Sequence, residues 1–247
     1  MRYFAELAYK GTAYVGWQRQ PNGMSVQEKL EETLSMLLRE PVEITGCGRT
    51  DTGVHATQYY IHFDFDGEFP EAFLRRLNKV LPPDIAVYRI FEVLPEAHAR
   101  FDACYRAYRY TITYRKDPFL TETAFLYPYP QKPDPALMQS AAGLLLQYED
   151  FFPFCKSDTD TESMRCELKQ AEWNLDETTG LLTFDIAANR FLRGMVRLIV
   201  GACINVGTGQ VTLGELKQAM DTQTRLKKSY SVPPEGLALT NVRYTTA

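Results

Sequence analysis

The order of predicted strands and helices in the first hundred residues restricts the fold more than any other feature of the chain. Period-two alternation of apolar residues predicts strands over residues 2–9, 42–48, 57–65 and 85–93. Helical spacing begins at the capping box Ser25-Val26-Gln27-Glu28 and runs to about residue 39. A second helix opens at Pro70. The resulting β-α-β-β-α-β order is that of a split, ferredoxin-like unit.

The second half repeats this order with longer connections. The predicted strands are 105–114, about 166–175, 181–187 and 237–244, and the predicted helices are 137–146, about 190–205 and about 213–220. Two such units commonly place their sheets side by side. We therefore expect an α+β protein of two ferredoxin-like units, with antiparallel sheets side by side and a central active-site cleft. The expected division is an N-terminal subdomain of residues 1–100 and a C-terminal subdomain of residues 101–247, with surface loops at 127–135 and 156–163.

Composition narrows the class of protein. The five cysteines show no Cys-x-x-Cys pair and the three histidines no metal-binding spacing, which predicts free thiols and no bound metal. The start of the chain does not resemble a secretory signal, and the apolar stretch 195–206 is too short to span a bilayer, so we expect a cytoplasmic protein that does not enter a membrane. The net charge of −4 argues mildly against nucleic acid. Basic residues nevertheless cluster at 100–116, 190–197 and 225–228, and a groove that pools them could hold a phosphate backbone.

The sharpest local feature is the segment GCGRTDTGVHA at residues 46–56, in which three glycines bracket the single carboxylate of Asp51. Glycine permits close backbone approaches, so such a loop can hold Asp51 at the lip of a cleft beside a ligand. The alternative is a hairpin turn in which Asp51 caps its own backbone. From the residues alone, both interpretations stay open.

The segment GRTDTGVHA resembles the signature GRTDAGVHA of the tRNA pseudouridine synthase A family. Further segments are similar to family segments in the same order along nearly the whole chain: YKGTAYVGWQRQ, SVQEKLEETL, LPPDIAV, HARFDA, YRYTI, NRFLRGMVRLIVG and EGLALTNVRY. Several long, ordered matches are far more specific than one short motif. The chain is thereby identified as similar to an isomerase family that makes pseudouridine in tRNA.

The resemblance implies a role for four residues. Asp51 is the nucleophile, and Arg49 helps to drive the target uridine out of the RNA stack. Tyr108 stacks on the flipped uracil, and Arg197 pairs with Asp51 and keeps it ionised. The resemblance leaves open whether Asp51 attacks C6 of the ring or acts at the ribose, and Tyr108 is one candidate for the base that removes the C5 proton.

The implied substrate is tRNA, at positions 38 to 40 of its anticodon stem-loop, and the implied assembly is a homodimer. No cofactor is implied, because the reaction is an isomerisation without redox or group transfer.

These roles agree with elementary chemistry. An aspartate must be anionic to attack carbon, and a neighbouring arginine lowers its pKa. Residues 195–204 read MVRLIVGACI, so Arg197 on this apolar helix would be costly if it were buried unpaired. Without a carboxylate partner, Arg197 would be a surface residue whose charge reaches solvent.

The chain departs from the family pattern at three places, which bear on substrate specificity rather than on the reaction. Thr52 replaces the usual alanine after the catalytic aspartate, and Lys10 replaces an aspartate in Tyr9-Lys10-Gly11. The segment 151–155 reads FFPFC where the family has a Phe-Thr-Ser-Phe type of sequence.

Two alternatives remain. A non-catalytic RNA-binding module would keep the scaffold without the chemistry. A metal-dependent phosphohydrolase would use Asp64 and Asp66 of IHFDFDG as its nucleophile motif, although that motif normally ends the first strand of a parallel sheet.

Overall fold

A computed structural model describes residues 1–156 and 163–245, which fall into two compact units. The first unit holds Met1–Cys104 and the chain from Ala238 onward, and the second holds Tyr105–Leu237. These units are defined by contacts within the folded chain. The predicted division into subdomains at residue 100 stays a prediction. Most of the predicted acidic loop at 156–163 lies outside the described residues.

The protein is of the mixed α+β class. Its strands, in chain order, are β1 (Arg2–Tyr9), β2 (Thr45–Gly46), β3 (His55–Asp64), β4 (Ile85–Val93), β5 (Ala103–Thr113), β6 (Phe125–Leu126), β7 (Leu168–Asp176), β8 (Leu181–Ala188) and β9 (Leu237–Tyr244). Its α-helices are α1 (Val26–Leu38), α2 (Phe73–Val80), α3 (Pro135–Leu145), α4 (Met195–Gly207) and α5 (Leu213–Thr222). Within the described ranges, no helix is long and apolar enough to cross a membrane.

The sheet of the first unit has the strand order β4-β1-β3-β9. Strand β1 is its antiparallel centre, since Ala5 pairs with Ile61 of β3 on one side and with Ile90 of β4 on the other. Strand β9 runs parallel to the start of β3, where His55 lies opposite Ala238. The predicted β-α-β-β-α-β element order is present in this unit, while its assignment as ferredoxin-like stays a prediction.

The predicted strand over residues 42–48 is much shorter in the structure, because β2 covers only Thr45–Gly46. Side chains of α1 take the backbone donors that precede it. The N–H of Val42 donates to the Ser35 hydroxyl at 2.9 Å, and that of Ile44 donates to the Glu31 carboxylate at 3.2 Å. A strand cannot form a ladder with donors that are already used.

Two helices begin later than the sequence predicts. Ala72 has a φ of 52°, in the left-handed region, so α2 starts at Phe73 and not at Pro70. Gly194 has a φ of 70°, so α4 starts at Met195 and not near residue 190. A left-handed residue interrupts the helical hydrogen bonds, and a helix can begin only after it. The predicted cap of α1 is present, because the Ser25 hydroxyl accepts the N–H of Glu28 at 3.1 Å.

In the second unit, the strands lie in the order β5-β8-β7 with antiparallel pairing, and the short β6 runs parallel to the end of β5. Helix α3 lies on β7, where the Gln139 side chain accepts the N–H of Trp173 at 2.8 Å. Helix α4 packs against α3, and most of its residues are buried. A helix that is apolar around most of its circumference belongs in a core, so α4 is a fixed platform for any side chain that it carries.

Candidate active site

Asp51 lies in the loop between β2 and β3 of the first unit, and its side chain is partly exposed. The turn after it is closed by main-chain atoms, since the N–H of Val54 donates to the Asp51 carbonyl at 3.1 Å, and Gly53 adopts a φ of 77°. That bond uses the Asp51 carbonyl and not its carboxylate. Arg49, two residues earlier on the same loop, is exposed.

Two aromatic residues form hydrogen bonds with the main chain of this loop. The main-chain N–H of Trp17 donates to the Thr50 carbonyl at 3.1 Å, and the Tyr59 hydroxyl donates to the Gly48 carbonyl. The rings of Trp17 and Tyr59 lie 4.1 Å apart. A Cβ at Gly46 would stand 2.2 Å from the Tyr59 oxygen, so only glycine allows this approach.

The far end of the loop is held by a buried histidine. His55 accepts the N–H of Gly11 at its Nδ1 atom, at 2.9 Å. Because Nδ1 accepts, the ring proton of a neutral His55 must be on Nε2. A Cβ at Gly11 would lie 2.0 Å from the Val54 carbonyl oxygen.

None of these supporting residues was named as a site residue from the sequence. Their signal was the segment YKGTAYVGWQRQ, which contributes Gly11 and Trp17 to the support of the loop. Its glycines and aromatic residues had no assigned task, because nothing local shows that residues 9–17 meet residues 48–55.

Tyr108 lies on β5 of the second unit, opposite Ile186 of β8, and it is half-buried. Its ring meets that of Phe191 edge-on, with centroids 5.3 Å apart and an interplanar angle of 87°. An edge-to-face contact limits the tilt of the ring. Phe191 is therefore a supporting residue that the sequence did not identify.

The basic residues beside Tyr108 are engaged within the second unit. Arg109 makes a two-pronged ion pair with Asp185, at 2.7 and 3.0 Å. The Arg106 guanidinium donates to the Asn189 carbonyl at 2.9 Å. Part of the predicted basic cluster thus holds β5 to β8 and to the residue that follows β8.

Arg197 lies on α4 and is half-buried. Its Nε donates to the Val232 carbonyl at 2.7 Å, while the Val232 N–H donates to the Arg197 carbonyl at 3.3 Å. Gly201, one turn later, admits the Tyr230 carbonyl so closely that a Cβ there would lie 1.7 Å from the oxygen. The segment 230–232 is therefore docked along α4 and orients the Arg197 guanidinium.

Two tyrosines of this unit lie near Arg197. Burial raises the pKa of Tyr110 well above its usual range, and the positive charge of Arg197 opposes that rise only in part. Burial likewise raises the pKa of Tyr230. Both phenols are neutral at physiological pH, so neither supplies a negative charge to Arg197.

The four predicted site residues are divided between the units. Asp51 and Arg49 share one loop of the first unit, and Tyr108 and Arg197 lie on β5 and α4 of the second.

The residues of the phosphohydrolase alternative are used in ion pairs. Asp64 receives both Nε and Nη2 of Arg2 at 2.8 Å, and Asp66 pairs with the amino terminus. Hydrogen bonding to Arg2 lowers the pKa of Asp64. Strand β3, which Asp64 ends, is antiparallel to β1. Across residues 1–156 and 163–245, no group of three or more His, Cys, Asp or Glu side chains is arranged to hold a metal ion. These contacts argue against a metal-dependent phosphohydrolase.

Comparison with known proteins adds a separate observation. The family model described as tRNA pseudouridine synthase matches residues 141–245. The protein named tRNA pseudouridine synthase A from Parabacteroides distasonis is 44% identical over 245 residues, which cover 98% of this chain and 96% of the relative. The protein of the same name from Bacteroides thetaiotaomicron is 45% identical over 247 residues, covering 98% and 90%. That from Streptococcus thermophilus is 37% identical over 248 residues, covering 99% of each. The chain therefore belongs to the tRNA pseudouridine synthase A family, whose members are isomerases.

Proposed function

We propose that this isomerase converts uridine to pseudouridine at positions 38 to 40 of the tRNA anticodon stem-loop, with Asp51 as the nucleophile. One observation carries the choice of Asp51. Its side chain is partly exposed, while both neighbouring parts of its loop are anchored by hydrogen bonds and by close glycine contacts. A nucleophile needs such a fixed backbone, because a small displacement of the attacking atom greatly lowers the reaction rate.

The reaction conserves the atoms of the uridine. The bond from C1′ to N1 breaks, the uracil turns while it stays bound, and C1′ forms a bond with C5. The C5 proton leaves and N1 gains a proton. Asp51 begins this sequence either by adding to C6 of the ring or by acting at the ribose, through attack on C1′ or removal of the 2′ proton. It is released in its original form at the end.

Arg49 and Tyr108 handle the base before the chemistry begins. A uridine inside an RNA helix must be extruded, which costs a few kcal/mol. The exposed Arg49 lies on the Asp51 loop, where it can take part in that extrusion. The half-buried Tyr108, whose ring is perpendicular to that of Phe191, is the proposed stacking partner of the uracil, a contact worth about 1–3 kcal/mol. Tyr108 is also the candidate base for the C5 proton.

In this proposal, Arg197 pairs with the Asp51 carboxylate. A guanidinium has five N–H donors, and the bond to Val232 uses one of them. That bond also holds the plane of the group, which favours a well-directed pair with a carboxylate.

The proposed active form is a cytoplasmic homodimer that binds one tRNA with both subunits. A dimer would help to explain how a chain with a net charge of −4 binds RNA, because a groove between two copies would pool the basic residues of both. Light scattering at micromolar concentration tests it, and a monomeric mass would contradict it.

The reaction and its nucleophile are tested with tRNA transcript tritiated at uracil C5. We expect the wild type to release tritium without metal or cofactor, Asp51→Asn to release none, and both to bind the tRNA equally. Asp66→Asn is the matched control, because it removes an equal charge from a carboxylate that pairs with the amino terminus. Transcripts that keep uridine only at positions 38, 39 or 40 test the site of modification.

Each alternative predicts a different result. If folded wild-type protein bound tRNA and released no tritium, the chain would be a non-catalytic RNA-binding module. If Asp51→Asn kept full activity, another residue would be the nucleophile.

A further inference from the structure

Thr50, the residue before Asp51, is held at two of its atoms. Its carbonyl accepts the main-chain N–H of Trp17 at 3.1 Å. Its hydroxyl Oγ1 lies 2.9 Å from the hydroxyl of Tyr9, with which it shares a hydrogen bond. Both hydroxyl-bearing residues are buried, so water does not compete well for this bond.

Gly16 presses on the same loop. Its φ is 106°, and a Cβ there would stand 2.8 Å from the Thr50 carbonyl oxygen and 3.2 Å from the Thr52 nitrogen. The main chain on both sides of Asp51 thus lies directly against the segment that follows β1. The Asp51 backbone has little room to move towards this segment.

Tyr9 is well suited to transmit this order, because it ends β1 and is itself fixed. Its ring packs against Trp17 and Tyr59, with centroids 5.9 and 5.4 Å away. A hydroxyl on a ring held in this way is a stationary partner for the Thr50 side chain.

We propose that Tyr9 is a positioning residue for catalysis, which acts through the Thr50 hydroxyl to set the backbone of Asp51. The inference rests on the proposed role of Asp51 as nucleophile. Tyr9 touches no reacting atom in this scheme. Its loss should therefore lower the rate of the chemical step and leave tRNA binding unchanged.

The test compares Tyr9→Phe, Thr50→Val and the double variant under single-turnover conditions with saturating tRNA. Each single variant should lower the rate of tritium release by about tenfold, the size expected for a small displacement of an attacking group. The double variant should show the same loss and not its square, because all three lack one shared bond. The Kd for tRNA should stay within about twofold of the wild type.

Thermal unfolding separates positioning from stability. Each single variant leaves a buried hydroxyl without this partner and should lower the Tm, whereas the double variant replaces both hydroxyls and should recover much of the loss. A rate that stays low while the Tm recovers supports positioning. A rate that recovers together with the Tm would show a purely structural role and overturn the proposal.

Two control variants and one further outcome complete the test. Thr50→Ser keeps the hydroxyl and should stay within about twofold of the wild-type rate. Tyr3→Phe removes a hydroxyl from another buried tyrosine of β1 and should leave the rate unchanged. Wild-type rates in Tyr9→Phe and Thr50→Val would overturn the positioning role alone. Activity in Asp51→Asn would instead overturn the proposed nucleophile, and with it the premise of this inference.

Discussion

Aspartates lie at both ends of strand β3, and different kinds of contact fix the chain at the two ends. Before β3, the loop of Asp51 is fixed through its neighbours, by main-chain bonds and by glycines that admit close contacts. At the other end, Asp64 is the last residue of β3 and Asp66 follows it, and both are fixed through their carboxylates, which pair with Arg2 and with the amino terminus. The carboxylates of Asp64 and Asp66 serve structural ion pairs, whereas main-chain contacts fix the segment around Asp51. The contacts around each aspartate thus distinguish two acidic sites that the sequence motifs had left as alternatives.

The largest expected difference between the two ends of β3 is in activity. Asp51→Asn should lower tritium release from C5-labelled tRNA by at least about a thousandfold, since it removes the proposed nucleophile. Asp64→Asn should change the rate by less than about twofold, because Asp64 pairs with Arg2 at the opposite end of β3 from the Asp51 loop. Equal losses of activity in both variants would show that Asp64 matters as much as Asp51 for the reaction.

Gly16→Ala tests how strictly the Asp51 loop depends on close contact. The substitution places a Cβ 2.8 Å from the Thr50 carbonyl at a φ of 106°, so the loop must shift. We expect kcat to fall by about a hundredfold and stability to fall by about 2–3 kcal/mol, measured by tritium release and urea unfolding. Gly143→Ala is the control, because a Cβ there meets nothing within 4 Å and favours helix α3. A wild-type rate in Gly16→Ala would mean that the loop tolerates displacement.

The free energy of unfolding should depend on pH through His62, which lies near Asp64 at the end of β3. Burial lowers the pKa of His62 to about 4, and the charges of Arg2 and His98 act in the same direction while those of Asp64 and Asp102 oppose it. The neutral ring accepts the Ala99 N–H at its Nδ1 atom, at 3.1 Å, and protonation would remove that acceptor.

The sign follows from the lowered pKa. The unfolded chain binds this proton more readily than the folded one, so the His62 contribution is complete above about pH 6.5 and declines as the pH falls towards 4. We expect a decline of about 1–3 kcal/mol over this interval in urea unfolding. His62→Gln should flatten the dependence, and an unchanged slope in that variant would assign it to another group.

The smallest expected effect is the stability that the Arg2–Asp64 pair contributes. The Asp64 side chain is 64% exposed, so solvent screens the pair even though its geometry is two-pronged. Asp64→Asn should lower the free energy of unfolding by about 0.5–1 kcal/mol, and the difference from wild type should shrink at 1 M salt. A loss that is insensitive to salt would indicate lost packing and not lost charge.

Much of the secondary structure could be predicted because it depends on local periodicity. The predicted strands 85–93 and 237–244 coincide with Ile85–Val93 and Leu237–Tyr244, since alternation along a strand is visible in the chain itself. The prediction was wrong where distant groups intervened. Residues 42–44 form no strand, because the N–H groups of Val42 and Ile44 donate to side chains of α1. Helix α2 begins only after Ala72, because that residue is in the left-handed conformation.

The candidate site divides in the same way. The sequence by itself determined the family, through ordered motifs, and the family resemblance implied the candidate residues Asp51, Arg49, Tyr108 and Arg197, whose roles stay predictions. Only the tertiary structure decided that Tyr9 meets Thr50 across 41 residues of chain, and that Arg2 meets Asp64 across 62. Local patterns report which backbone hydrogen bonds a segment can make with itself or a neighbouring strand. Which side chain satisfies a buried polar group depends on segments that come together only when the chain packs.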